Sequence, residues 1–291
     1  MNGRIEAHAH FYLNGSDFRT AKEMHAGHPD EETVRRELAA YKKAGIHFVR
    51  DGGDRFGVSV LAGKIAPEYD IKVITPVFAI HKENHYGHIV GKSFRDMAEY
   101  RALVKEAADS GADFIKIMTT GIMDFKTADG ITGEALTPDE VSEMVRIAHG
   151  EGFRVMSHTN GADHVKAAVE AGVDSVEHGN FQTEDSLACM AQAGTLWVPT
   201  TVTVKNLIGC GRFCDDVLLE IWRGIEKNIR FALKKGVNIA AGSDAGAYMV
   251  GHGTGILEEY SALCAVADDA AEMERTLLRG EAEIRSFGER E

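Results

Sequence analysis

The chain repeats one pattern, in which an amphipathic segment ends at a glycine and a short apolar run follows. The glycines at these junctions are Gly45, Gly111, Gly152, Gly172, Gly194 and Gly236. Glycine adopts positive φ without a Cβ clash, so it commonly ends a helix before the next strand. Six such junctions predict that strands and helices alternate.

Eight runs have the length and β-branched content of strands. The predicted strands are 5–10, 47–52, 72–80, 113–119, 154–159, 175–179, 196–201 and 237–243, and the predicted helices include 31–44, 94–109, 138–150, 162–171, 184–193 and 216–235. This alternation favours an α/β fold, a (β/α)₈ TIM barrel, with a doubly wound open sheet as the alternative. No composition change divides the chain, so we predict a single metal-dependent hydrolase barrel domain, 1–291, with a helical C-terminal tail after about residue 265.

The composition of the chain excludes some classes of binding partner. The chain has 291 residues and a formal net charge of −13, which argues against nucleic acid or an anionic membrane as a partner. The N-terminus lacks a basic and apolar signal, and no run of about 18 apolar residues occurs. Four irregularly spaced cysteines argue against a disulfide framework and favour a reducing, cytoplasmic location. A small-molecule substrate is therefore expected, and the chain is a possible homo-oligomer.

A lysine stands in the most apolar strand. The run Phe114-Ile115-Lys116-Ile117-Met118 predicts a buried strand. A lysine is almost never fully buried unless something pairs with it or modifies it. On this segment alone, a strand-end lysine whose ammonium reaches water explains the pattern equally well.

Potential metal ligands follow other strands at their carboxyl ends, where barrel enzymes place their active sites. They are His8 and His10 on strand one, His158 on strand five, His178 on strand six and Asp244 after strand eight. Singly, each has a structural explanation, as a hydrogen-bonded histidine or a helix cap. Together they predict a metal site, because imidazole and carboxylate are ligands that divalent ions prefer. Carbon dioxide added to the Lys116 amine would give a carbamate anion able to bridge two such ions.

The order His8-x-His10, Lys116, His158, His178, Asp244 resembles the amidohydrolase superfamily, in the binuclear-metal branch with a carboxylated lysine. The local sequences around Lys116, Val176-Glu177-His178-Gly179 and Gly242-Ser243-Asp244 are most similar to its prolidase-like members. The resemblance covers about residues 4–260. It implies one ion held by His8, His10, Lys116 and Asp244, and a second held by Lys116, His158 and His178, with zinc as the usual metal.

The resemblance also implies a reaction. A hydroxide bridging two divalent ions would attack an amide, peptide-like or cyclic amide, or a lactone bond of a small molecule, with Asp244 as the catalytic base. The alternatives are a non-hydrolytic or phosphoester reaction at the same site, and a non-catalytic metal-binding barrel protein.

The sequence departs from the family in two ways. Strand one is predicted to begin near Arg4, so we expect the β-sandwich that flanks the barrel in many relatives to be absent or vestigial here. The tyrosine after strand seven that helps relatives hold a dipeptide carboxylate is also missing, which leaves Lys205 as a replacement. His85 and His88, after strand three, are further candidate substrate contacts.

Overall fold

A computed structural model describes residues 4–289, which form nine strands and eleven α-helices. The strands are β1 (Ile5–Ala9), β2 (Phe48–Asp51), β3 (Lys72–Ile74), β4 (Ala79–Lys82), β5 (Gly91–Phe94), β6 (Ile115–Met118), β7 (Val155–Thr159), β8 (Ser175–His178) and β9 (Leu196–Val198). The helices are α1 (Phe18–Met24), α2 (Glu31–Lys43), α3 (Val58–Ile65), α4 (Met97–Asp109), α5 (Pro138–Gly150), α6 (Ala162–Glu170), α7 (Glu184–Ala193), α8 (Val202–Lys205), α9 (Asp215–Lys235), α10 (Thr254–Val266) and α11 (Ala270–Ser286), with a 3₁₀ helix at Ala66–Tyr69.

Every ladder between these strands is parallel. One sheet has the order β1-β2-β3, and the other has the order β5-β4-β6-β7-β8-β9. The predicted third strand, 72–80, is therefore two strands in different sheets, β3 and β4. Val77 lies at the break between them with φ +67°, a backbone bend that an apolar run does not reveal. β5 is an additional edge strand beside β4.

The predicted eighth strand forms isolated bridges rather than a regular strand. Residues 238–245 nevertheless lie between the two sheets, because Trp197 N donates to Asn238 O at 2.9 Å and Ala7 N donates to Ala241 O at 3.0 Å. The alternation predicted from sequence is confirmed as an α/β fold. It is compatible with a (β/α)₈ barrel, although the strand ladder is not continuous.

The helices begin and end close to the predicted residues. α5, for example, starts after Thr137, whose side chain accepts from Glu140 N while the Glu140 carboxylate accepts from Thr137 N. Such a capping box satisfies two of the backbone donors that a helix start leaves unpaired. The predicted helices do not include α1, α3, α8 or most of α10, which begins at Thr254, before the predicted helical tail.

The C-terminal part is helical, as α10 and α11. Ile284 and Phe287, at the end of α11, pack into an apolar cluster with Phe114, Phe48 and neighbouring strand residues. The proposed domain of 1–291 also includes residues 1–3 and 290–291, which lie outside the described residues. Among residues 4–289, none of the helices combines the length and the apolar content that a membrane span requires.

Candidate metal centre

Six side chains meet at the carboxyl ends of the parallel strands. They are His8 in β1, His10 just after it, Lys116 in β6, His158 in β7, His178 at the end of β8 and Asp244 after residues 238–243. All are buried except Asp244, which is partly exposed to the space above. All six residues predicted as metal ligands thus lie close together in the structure.

Lys116 lies at the centre of the group. Its Nζ donates to His8 Nε2 at 3.2 Å and to His10 Nε2 at 3.3 Å. Asp244 Oδ1 lies 3.6 Å and 3.8 Å from the same two nitrogens. The ring centroids of His158 and His178 are 4.6 Å apart, and that of His178 is 5.1 Å from that of His8.

Two of these residues have a backbone conformation that non-glycine residues rarely adopt. His178 has φ +65° and Asp244 has φ +58°. Such conformations cost about 1–3 kcal/mol each and persist only where the surroundings hold them. Here Trp197 Nε1 donates to His178 O at 2.9 Å, and Asp244 N donates to His8 O at 2.7 Å.

Three of the four imidazoles have their tautomer fixed by partners that can only accept. His8 Nδ1 donates to the Glu177 carboxylate at 2.7 Å, His10 Nδ1 to Gly53 O at 3.3 Å, and His158 Nε2 to Gly121 O at 3.1 Å. A hydrogen on one ring nitrogen leaves a lone pair on the other. His8 and His10 therefore keep Nε2 as a ligand atom, and His158 keeps Nδ1.

A buried ion pair supports His8 from below. Glu177 Oε1 accepts from Arg50 Nη2 at 2.8 Å and from Ser175 Oγ at 2.6 Å, while Arg50 Nε donates to Ala7 O at 2.8 Å. Arg50 and Glu177 are both fully buried. A carboxylate bound to a ligating histidine orients the ring and raises its basicity.

Burial sets the protonation states. It is the largest effect on the His158 imidazole, whose pKa it lowers to about 4, and it lowers the pKa values of His8, His10 and His178 well below their ordinary range. All four rings are therefore neutral at pH 7, as metal coordination requires.

Lys116 is 1% exposed, and burial lowers its pKa to about 8. At pH 7 about a tenth of the amine is thus neutral, far more than for an exposed lysine, and the neutral amine is the form that reacts with carbon dioxide. Gly52 covers the group from one side. A Cβ at that position would overlap the His10 ring and lie 2.7 Å from Lys116 Nζ.

This donor set fits a divalent ion. Ligand atoms of His8, His10 and Asp244 lie within 4.8 Å of one another. Burial raises the pKa of Asp244 to about 6, against the opposing charge of Lys116, so its carboxylate predominates at pH 7 and above. Neutral imidazoles and a carboxylate beside a strand-end cavity are a suitable environment for zinc or a similar ion.

Above the six residues lies a cavity of about 570 Å³. Its wall is mainly apolar and aromatic, including Leu13, Phe18, Tyr86, Ile89, Val90, Met118, Ile122, Met123, Phe125, Leu207, Phe213 and Tyr248. The Phe125 and Phe213 rings are 4.8 Å apart, and the Arg212 guanidinium carbon lies 4.4 Å from the Tyr248 ring centroid. The volume suits a small organic molecule.

The structure does not bring the three predicted substrate contacts to this wall. His85 Nδ1 donates to Glu83 O at 3.1 Å, His88 is exposed, and Lys205 Nζ lies 5.7 Å from the Trp222 ring centroid. In the loop that carries His85 and His88, a tight turn directs these side chains away from the cavity, and His85 N donates to Lys82 O at 3.0 Å in that turn.

Tyr86, which sequence reasoning passed over, does line the cavity. Its ring centroid lies 5.1 Å from that of His158, and its hydroxyl has no hydrogen-bond partner among residues 4–289. Burial, with Asp244 as a further cause, raises the pKa of Tyr86 above its ordinary value, so the phenol stays protonated. Its position in the loop after the third predicted strand was the available signal.

Comparison with known proteins adds a family and a fold. A family model described as "Amidohydrolase family" matches residues 2–283. A solved Xaa-Pro dipeptidase with bound methionine in the active site aligns with TM-score 0.78 and 24% identity, over 98% of this chain and 76% of that one.

Two curated relatives match over shorter stretches. An uncharacterized protein of Mycobacterium tuberculosis is 29% identical over 174 residues, 58% of this chain and 46% of the relative. Ochratoxinase of Aspergillus niger is 27% identical over 153 residues, 50% of this chain and 31% of the relative. The matched regions thus span half or less of each curated relative's length.

Proposed function

The chain belongs to the amidohydrolase family of enzymes, and from this we propose that it is a metal-dependent hydrolase that cleaves an amide or lactone bond of a small molecule. The observation that carries the proposal is the convergence of four neutral histidines, a carboxylate and a buried lysine beneath an apolar cavity. An amide is the preferred bond, since a structurally similar protein is a dipeptidase.

We propose that His8, His10 and Asp244 would hold one ion, that His158 and His178 would hold a second, and that the carboxylated side chain of Lys116 would contribute an oxygen to each. The neutral Lys116 amine adds to carbon dioxide through a new N–C bond and releases a proton, which leaves a carbamate anion. Divalent ions, when bound, would polarise the scissile carbonyl and lower the pKa of a water molecule.

The chain's own residues then handle protons and position the substrate. Asp244, which is partly exposed to the cavity, accepts the proton of the attacking water and delivers it to the leaving group. Tyr86 donates its hydroxyl hydrogen to the substrate oxygen that gains charge during attack. The aromatic wall, including Phe125 and Phe213, excludes water and holds the apolar part of the substrate.

The test is elemental analysis of protein prepared with bicarbonate and zinc, together with turnover on a panel of dipeptides, aromatic N-acyl amides and lactones. We expect close to two ions per chain, a marked loss in Lys116→Ala, and hydrolysis of at least one class. In Asp244→Asn, most metal should remain while turnover falls about 10²- to 10⁴-fold. One ion or none in the parent, unchanged by Lys116→Ala, would refute the bridged pair.

A further inference from the structure

Glu259 is a fully buried carboxylate that the chemistry proposed above does not use. It lies on α10 and accepts three hydrogen bonds from the start of α8. Its oxygens accept from Thr201 N at 3.0 Å, Thr201 Oγ1 at 2.7 Å and Val202 N at 2.9 Å. A buried carboxylate with three donors anchors the chain segment that supplies them, because each lost bond would leave a buried polar group unpaired.

The segment it anchors begins at Thr200, which has φ +49°. A β-branched residue in this region is strained, so its surroundings must hold it there. Thr200 O accepts from Thr203 N at 3.1 Å and from Thr203 Oγ1 at 2.7 Å. The strained turn is thus held by Glu259, which fixes the two residues that follow Thr200, and by Thr203 in the first turn of α8.

Thr200 in turn contacts the metal centre. Its Oγ1 lies 2.7 Å from His178 Nδ1. Unlike the acceptor-only partners of the other three imidazoles, a hydroxyl both donates and accepts. The contact alone therefore fits both tautomers of His178, and the direction in which the Thr200 hydroxyl hydrogen points decides between them.

We propose that Glu259 is a positioning residue for the metal centre, holding Thr200 so that its hydroxyl accepts the His178 Nδ1 hydrogen and His178 Nε2 carries the lone pair. This inference rests on the proposed function, in which His178 holds the second ion. Glu259 touches neither the ion nor the substrate, and it acts through Thr201, Val202 and Thr200.

The test compares Glu259→Gln with Thr200→Val, Thr200→Ser and Glu281→Gln. The last is a matched control. Glu281 is a buried glutamate on α11 that accepts a hydrogen bond from Tyr260 on α10, the helix that carries Glu259, and it makes no contact with the metal centre. Measurements are made at pH 8, above the pKa of about 7 to which burial raises Glu259. Side-chain ¹⁵N spectra of metal-free protein report the His178 tautomer, and zinc titration reports both affinities.

We expect Glu259→Gln and Thr200→Val to shift the His178 ring nitrogens toward a tautomer mixture and to weaken the second zinc affinity about 10- to 100-fold, with the first unchanged. Thr200→Ser should restore the parent spectrum, and Glu281→Gln should match the parent in both readouts. If Glu259→Gln keeps the parent His178 signals, the inference is wrong.

The ¹⁵N measurement tests this inference independently of the proposed function, because it uses metal-free protein. If the parent binds no zinc, the proposed function fails, while the His178 tautomer in metal-free protein still tests the role of Glu259. If Glu259→Gln fails to fold, Thr201→Val removes a single one of the three bonds. It should then produce a smaller shift in the same direction, and an unchanged His178 spectrum would overturn the proposal.

Discussion

Replacing Glu177 by Gln should expose how much the centre depends on the ion pair beneath it. Glu177 is the counter-ion of the fully buried Arg50 and accepts the Nδ1 hydrogen of His8. Removing one partner of a buried pair costs about 3–5 kcal/mol, because an uncompensated charge remains in a low-dielectric interior. At about 2–4 °C per kcal/mol for a large domain, Glu177→Gln should lower Tm by roughly 6–20 °C.

The assays are thermal unfolding for Tm and urea denaturation for the free energy of unfolding, both on metal-free protein at pH 7, with Arg50→Met and the double variant completing a cycle. The double variant should lose less free energy of unfolding than the two single variants together, by about 1–3 kcal/mol. Glu143→Gln is the control, since Glu143 pairs with Arg146 at the surface, where such pairs contribute at most about 1 kcal/mol. A loss below 1 kcal/mol in Glu177→Gln, or additivity of the two single variants, would refute the coupling.

Three further predictions concern substitutions at single residues. Tyr86→Phe should lower kcat about 10²-fold with little change in KM or Tm, because it removes a donor whose contribution is largest in the transition state; steady-state kinetics with unchanged turnover would contradict this. Gly52→Ala should reduce the zinc bound per chain, since a Cβ there overlaps the His10 ring, whereas Gly63→Ala on α3 meets nothing within 4 Å and should bind zinc normally in the same elemental analysis. Burial raises the pKa of Glu6 to about 8, so the folded state holds the proton more tightly and this stabilisation is lost as pH rises from about 4.5 through 8. Relative to Glu6→Gln, the parent should lose up to about 1.4 kcal/mol of unfolding free energy per pH unit in that range, and parallel urea midpoints at pH 5, 7 and 9 would argue against it.

Much of this arrangement follows from local sequence signals. Amphipathic periodicity and closing glycines predict the alternation of strands and helices, and Lys116 is conspicuous because its neighbours are apolar. The four histidines and Asp244 are found by residue type and by their place at strand ends. Such signals are local, and a sequence shows them directly.

What the sequence conceals depends on contacts between distant segments. Glu259 meets Thr201 across 58 residues, and neither residue type announces the pairing. The split of the third predicted strand depends on a single bend at Val77. The sequence favours His85 over Tyr86 as a substrate contact by residue type, whereas the direction of each side chain depends on the backbone of a turn that residue types do not predict.

The floor of the cavity is built from strand residues, whereas part of its wall is built from loops, so the choice of substrate and the chemistry can change independently in evolution. The histidines and Lys116 lie on strands or at their ends, whereas Phe125 and Phe213 lie on loops that reach over them. Loop substitutions are tolerated better than changes in packed strands. Selection can therefore reshape which molecules enter by exchanging loop aromatics, one or two at a time, while the reacting centre is inherited unchanged.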